Sequence, residues 1–132
     1  MRRSVKVTLI LTAEMNKIMN VSELAKIINA EILAMPEPES EVDGCYCGDL
    51  LSWVMGRARE GQLWITIMTN INVIAVASLS GVSAVLISEN AEIESDIISK
   101  AESQGINILR TSEATFEAAL NVQKAFLDGG IK

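Results

Sequence analysis

Residues Leu63–Leu79 read LWITIMTNINVIAVASL, and this stretch decides the fold. It contains two apolar segments with one polar pair, Thr69-Asn70, between them. A buried strand that leads into a buried helix gives this pattern, with the polar pair at the turn. By periodicity alone the second segment fits either a strand or a helix, but its alanines and the need for a crossover before the next strand favour a helix. We therefore predict a strand over Leu63–Met68 and a helix over Asn72–Leu79.

After this stretch the sequence alternates between strands and helices. Strands are predicted at Ala84–Ser88 and Ile106–Leu109, each followed by residues that favour helix caps. Asn90 is the predicted N-cap of a helix that ends at Gly105. Thr111 or Ser112 is the predicted N-cap of the last helix, over Glu113–Leu127.

The residues before the central stretch carry similar signals. Asn20-Val21-Ser22-Glu23 has the spacing of a capping box and predicts a short helix, which a strand over Glu31–Met35 follows. A second strand region is predicted at Val42–Gly48. Asp49 is then the predicted N-cap of a helix over Leu50–Arg59, with Gly61 at its C-terminal end.

The composition indicates how such elements pack. Hydrophobic residues make up 49% of the 132 residues but aromatic residues only 4%, so the core must be aliphatic. An aliphatic, β-branched core is typical of a sheet that helices cover on both faces. With the strand–helix alternation, it predicts an α/β protein: a single three-layer α/β/α domain with a mostly parallel sheet.

The charge of the chain excludes several classes of partner. Eleven basic and 17 acidic residues give a net charge of −6, which disfavours nucleic acid and anionic membrane surfaces. No stretch reaches the ~18 apolar residues of a membrane span, and the N-terminal apolar run is shorter than a signal-peptide core. We expect no nucleic-acid or membrane partner and a cytoplasmic location.

Cys45 and Cys47 are the only cysteines, and the chain has no histidine. On a strand the two thiols project to one face, where they are poorly placed for a disulfide. Two thiolates cannot complete a zinc site within one chain, although a symmetric interface between two chains could complete one. We expect small buried hydrophobic side chains here, and no metal or cofactor.

A candidate ligand site follows from the parallel sheet. In such sheets ligands bind outside the carboxyl ends of the strands. Hydroxyl and amide side chains occupy those ends here, and Asp49 is the one carboxylate at an otherwise apolar turn. The same residue types also cap helices and close turns, which is the structural alternative. The predicted site residues are Asp49, Thr66, Thr69, Asn70, Ser88, Asn90 and Thr111.

Three segments carry a resemblance to a known family. They are GCYCGDLLSWV at Gly44–Val54, WITIMTNINVIAVASL at Trp64–Leu79 and AESQGINILRTSEATFEAA at Ala101–Ala119. In these segments the chain resembles a stand-alone DRTGG-domain protein from about Val21 to Phe126. Residues 1–18 are then an N-terminal extension outside the resemblance, and residues 19–132 form the DRTGG-like domain.

The resemblance implies an α/β/α domain similar to the N-terminal domain of HPr serine kinases, with a regulatory or associative role. Related domains lie between CBS domains in some pyrophosphatases and beside phosphate acetyltransferase domains. The Asp-Arg pair of the motif corresponds to Thr69-Asn70 in this chain, and its Thr-Gly-Gly to Ser88-Glu89-Asn90. None of the motif's residues is present at these positions.

Catalytic signatures are absent from the sequence. No glycine is followed by Lys-Ser or Lys-Thr as in a phosphate-binding GxxxxGK[ST] loop, and without histidine a base would have to be a carboxylate or a lysine. We predict a non-catalytic regulatory module that binds a small anionic or nucleotide ligand or a protein partner. The alternatives are a structural dimerisation or scaffold protein that acts on a metabolic or redox enzyme, and a phosphotransfer-associated enzyme.

We also predict a homodimer. The apolar segment at 69–88, the six methionines and the two tryptophans of this small acidic chain favour an apolar patch that pairs with itself. The dimer would use the polar strand ends, or the apolar surface beside them, for its ligand or partner.

Overall fold

The computed structural model describes residues 18–129, which form seven strands and five helices. The strands are β1 Met19–Asn20, β2 Glu31–Ala34, β3 Glu41–Val42, β4 Gly44–Cys47, β5 Gln62–Thr66, β6 Ala84–Ile87 and β7 Ile108–Arg110. The helices are α1 Val21–Ile27, α2 Leu51–Arg57, α3 Asn72–Ser80, α4 Ser95–Gln104 and α5 Thr115–Gly129. The predicted N-terminal extension falls almost wholly on residues 1–17, outside the described residues, so the domain boundary stays a prediction.

Five strands form one sheet in the order β2-β7-β6-β5-β4. The neighbours β4 to β7 are parallel, and β2 joins the edge antiparallel to β7 with a register shift between Ile32 and Ala34. The predicted strand region at Val42–Gly48 is two strands, because β3 leaves this sheet and pairs antiparallel with β1. The mostly parallel sheet is confirmed.

Alternate residues of the central strands face two separate apolar layers. Trp64 of β5 and Val85 of β6 pack with α2, α3 and α4, whereas Leu63 and Ile65 of β5 pack with α1 and α5. This alternation follows from the period of two along a strand. Helices therefore cover both faces, and the predicted three-layer α/β/α domain is confirmed.

Several predicted helix ends are confirmed. Glu23 donates its backbone N–H to Asn20 Oδ1 at 2.8 Å, and Asn20 donates its own N–H to Glu23 Oε1 at 2.9 Å, which completes the capping box of α1. The segment after Thr69-Asn70 is helix α3, as its alanines indicate. Gly105 closes α4 with a left-handed φ of 76°.

The predicted ends of α2 are wrong. The helix begins at Leu51 after Leu50, and no side chain caps it. It ends at Arg57 with Ala58 in an extended conformation, so Gly61 does not close it. Gly61 instead has a φ of 88° in the turn that leads into β5.

The predicted N-caps of the last two helices are also wrong. Helix α4 begins at Ser95 after Glu94, and Asn90 lies earlier in the preceding loop with a φ of 52°. Helix α5 begins at Thr115, beyond both Thr111 and Ser112. In each case the loop after the strand is longer than the sequence indicates.

Candidate functional site

Asp49 and Thr66 meet at the carboxyl edge of the sheet, where β4 and β5 end. Asp49 Oδ1 accepts a hydrogen bond from the Thr66 hydroxyl at 2.8 Å and another from the Ile67 backbone N–H at 2.9 Å. Thr66 is fully buried, and its Oγ1 in turn accepts from the Met68 N–H at 3.1 Å. The exposed Asp49 therefore ties two neighbouring strand ends together instead of capping α2.

Ser88 and Thr111 continue this row of strand ends. The buried Ser88 donates its N–H to the Thr66 carbonyl at 3.0 Å, and its hydroxyl pairs with that of Thr115 at 2.8 Å. Thr111 donates its N–H to the Ile87 carbonyl at 2.8 Å and accepts the Asn90 N–H on its own carbonyl at 2.8 Å. Five of the seven predicted site residues thus lie in one hydrogen-bonded row or directly beside it.

Thr69 and Asn70 lie in the turn between β5 and α3. Asn70 Oδ1 accepts the Asn72 N–H at 2.9 Å, and the Asn70 carbonyl accepts the Val73 N–H at 3.0 Å. The Ile74 N–H is bonded to the Ile71 carbonyl at 3.2 Å. The backbone N–H groups of Asn72, Val73 and Ile74 thus have acceptors within the turn, and they do not need a ligand as a hydrogen-bond partner.

Glu89 and Asn90 are consecutive residues in the left-handed region, with φ values of 62° and 52°. Their N–H groups bond to the Glu113 carbonyl at 2.7 Å and the Thr111 carbonyl at 2.8 Å, which fixes the turn. These two positions are predicted from the sequence to correspond to the two glycines of the DRTGG motif. The backbone has the conformation that glycine adopts at no steric cost, although this chain has other residues there.

A pocket opens on the same edge, beside Asp49. It has a volume of ≈330 Å³ and is lined by Tyr46, Cys47, Gly48, Asp49, Leu50, Trp53 and Val54. The side chain of Trp53 is 55% exposed, and the Arg57 guanidinium carbon lies 4.1 Å from its ring centroid. Tyr46 and Trp53 were not among the predicted site residues. The sequence feature that could have indicated Trp53 is its place beside the polar Ser52, on the helix that follows Asp49.

Cys45 and Cys47 lie on β4, where they pair with Leu63 and Ile65 of β5. Both are free thiols; Cys45 is half-buried and Cys47 is exposed, so the predicted burial is wrong for Cys47. A hydrogen bond between the two thiols, together with burial, raises the pKa of Cys45. The same bond lowers the pKa of Cys47 to about 7, against the opposing effects of burial and of the Asp49 carboxylate.

The described part of the chain contains no group of three or more metal-ligating side chains. No helix within residues 18–129 is long and apolar enough to cross a membrane.

Comparison with known proteins identifies the family. The model of the DRTGG domain matches residues 23–125, close to the range that the sequence motifs cover. This chain belongs to the DRTGG domain family. No curated protein sequence matches it.

A solved structure has a similar fold. It is the CBS and DRTGG domains of the regulatory region of Clostridium perfringens pyrophosphatase, complexed with its activator, diadenosine tetraphosphate. The TM-score is 0.66 and the sequence identity is 16%, over 86% of this chain and 48% of the other. The DRTGG chain described here therefore spans about half the length of that structure, and the likeness shows a shared fold.

Proposed function

We propose that this DRTGG domain is a non-catalytic regulatory module that senses a nucleotide at the carboxyl edge of its sheet. The observation that carries the proposal is the pocket of ≈330 Å³ between Asp49 and Trp53. It lies where open parallel sheets bind ligands, and its volume is at the lower end of the range for small-molecule sites, about 300–1,000 Å³.

The side chains around the pocket suit a nucleotide better than a bare anion. The exposed ring of Trp53 offers a face for stacking a base, and the Asp49 carboxylate accepts from an amino group on that base. Arg57, beside Trp53, supplies a cation for a phosphate. The Asp49 carboxylate and the net charge of −6 repel inorganic phosphate, which has no base to stack on Trp53 and so gains no contact that offsets this repulsion.

The fold relative supports the same ligand class. The regulatory region of the clostridial pyrophosphatase is complexed with diadenosine tetraphosphate as its activator. A DRTGG domain in that protein thus belongs to a region that responds to a nucleotide. We infer that this chain also binds a nucleotide, at the pocket beside Trp53.

A nucleotide titration tests the proposal. Diadenosine tetraphosphate, ATP and inorganic phosphate are titrated into the full chain, with heat and tryptophan fluorescence as readouts. We expect the adenine nucleotides to bind and phosphate alone not to bind. Trp53→Ala should weaken nucleotide binding about 10-fold, the value of one lost stacking contact.

Phe116→Ala is the matched control, because Phe116 is another exposed aromatic residue, 68% exposed on α5. It should leave the affinity unchanged. Equal affinities of the Trp53 variant and the unaltered chain, or no binding of any nucleotide, would contradict the proposal.

A second candidate function is self-association at this same edge, the predicted homodimer. Leu50 and Trp53 line the pocket and are 61% and 55% exposed, and Ile67 and Ile71, in the loop between β5 and α3, are each 44% exposed. Exposed apolar side chains at this edge favour an interface. Sedimentation at two concentrations tests it: Leu50→Glu should dissociate the dimer, and Leu79→Glu, at the far end of α3, should not.

A further inference from the structure

We propose that a second pocket, between α1 and α5, binds a zwitterionic α-amino acid with a branched aliphatic side chain, such as leucine. The pocket has a volume of ≈270 Å³ and is lined by Ile27, Ile28, Asn121, Lys124, Ala125 and Asp128. It lies on the face of the sheet that α1 and α5 cover, whereas Tyr46 and Val54 of the nucleotide pocket belong to the other apolar layer. The proposal is therefore independent of the nucleotide site.

Lys124 and Asp128 bring two opposite charges to this pocket. They lie four residues apart on α5, so they share one side of the helix. A lysine that precedes its acidic partner is the less favourable order for such a pair, and the two do not form an ion pair. The one ion pair within residues 18–129 joins Arg110 to Glu31. A ligand with both a carboxylate and an ammonium group can therefore bind each of the two charges with its opposite.

Asn121 restricts the kind of anion that the pocket accepts. Its Nδ2 donates to both carboxylate oxygens of Glu113, at 2.8 and 2.7 Å, which uses both of its N–H bonds. Asn121 thus offers a ligand only its carbonyl oxygen, and Lys124 is the sole hydrogen-bond donor among the lining side chains. A single ammonium group suits one carboxylate better than a phosphate group, which has three acceptor oxygens. The acceptors at Asn121 and Asp128 remain for the ammonium group of the ligand.

The apolar part of the pocket selects the side chain of the ligand. Ile27 is 46% exposed at the end of α1, and Ile28 packs with the buried Ala125 in the layer under α1 and α5. A branched aliphatic side chain against Ile27 removes apolar surface of both groups from water. The volume is just below the lower limit of about 300 Å³ for drug-sized ligands, which suits a single amino acid. A zwitterion also has no net charge for the acidic chain to repel.

An NMR titration of the full, ¹⁵N-labelled chain tests the two charges separately. The ligands are leucine, its α-keto acid, which lacks the ammonium group, and 3-methylbutylamine, which lacks the carboxylate. We expect leucine to shift the amide resonances of Ile27, Ile28 and residues 121–128. Leucine should bind at least about 10-fold more tightly than either analogue, since losing one hydrogen bond between charged groups costs about that factor. Glycine, which has no side chain, should also bind more weakly than leucine.

Two substitutions assign the charges to their residues. Lys124→Met should weaken leucine binding about 10-fold but should not weaken binding of the amine, which has no carboxylate. Asp128→Asn should weaken leucine binding but not binding of the α-keto acid, which has no ammonium group. Lys100→Met and Asp96→Asn are the matched controls, because both residues are exposed on α4. They should leave every affinity unchanged.

Thermal melting of each variant shows whether it keeps the fold, and both substituted side chains of the pocket are exposed. The comparison of the three ligands on the unaltered chain needs no variant, so it decides the proposal even if a substitution disturbs α5. Equal affinities for leucine and its α-keto acid would overturn the proposal, because the pocket would then recognise only a carboxylate. Resonance shifts confined to residues outside the pocket, or no shifts at all, would overturn it as well.

Discussion

At the scale of single residues, the backbone of Glu89 carries the clearest local strain. Its φ of 62° costs an L-residue roughly 1–2 kcal/mol, which glycine does not incur. Glu89→Gly should therefore raise the free energy of unfolding by up to about 1 kcal/mol, after the greater freedom of glycine in the unfolded chain is deducted. Urea denaturation measures the change.

Glu92→Gly is the control for Glu89→Gly. Glu92 is also exposed, and its φ is not positive. Glycine there relieves no strain and should lower stability. A Glu89→Gly protein that is less stable than the parent would show that the side chain contributes more than the strain costs.

Asp49 is a second residue whose role is open to direct measurement. Asp49→Ala removes the acceptor of the buried Thr66 hydroxyl and of the Ile67 N–H, so it should lower the free energy of unfolding by ~1–3 kcal/mol. Asp49→Asn keeps an oxygen at Oδ1 and should retain most of that stability. If the two variants melt at the same temperature, the hydrogen bonds do not hold the strand ends together.

At the scale of elements, the start of α3 depends on Asn70. Asn70→Ala removes the acceptor of the Asn72 N–H and should cost ~1 kcal/mol of stability, as the loss of a helix cap does. Asn72→Ala, an exposed asparagine within the first turn, should be nearly neutral. An Asn70→Ala protein that loses nucleotide affinity but no stability would contradict this role in the turn and support the ligand role predicted from the sequence.

The elements themselves were predictable, because their apolar periodicity is local in the sequence. The helix at Asn72 was identified correctly through the need for a crossover between parallel strands. The prediction that Asp49 caps α2 was wrong, because its carboxylate instead accepts a hydrogen bond from Thr66, 17 residues away. No local sequence pattern indicates that contact. The loop at Asn90 is likewise set by bonds to residues after β7.

The candidate site was predictable in the same partial way. The rule for parallel strand ends places Thr66 and Ser88 in one row, where the structure has them. The pocket beside Trp53 depends on how α2 packs across the end of β4, which no spacing in the sequence encodes.

At the scale of the whole molecule, we expect no kinase activity. The chain has no GxxxxGK[ST] loop to bind the phosphates of a nucleotide, and it has no histidine, the residue that most often acts as a general base. The purified protein incubated with radiolabelled ATP and candidate acceptor proteins should transfer no label. Transfer that a point substitution in this chain abolishes would contradict the prediction.

The position of β5 has a consequence for how the molecule opens. All five of its residues are buried, and it is bonded to β4 on one side and β6 on the other. Its amide protons therefore exchange with deuterium only through the largest opening of the domain, at a free energy close to that of global unfolding. Strand β2, at the edge with an irregular register and an exposed Ile32, exchanges through small local openings. Deuterium uptake should thus begin at β2 and reach β5 last.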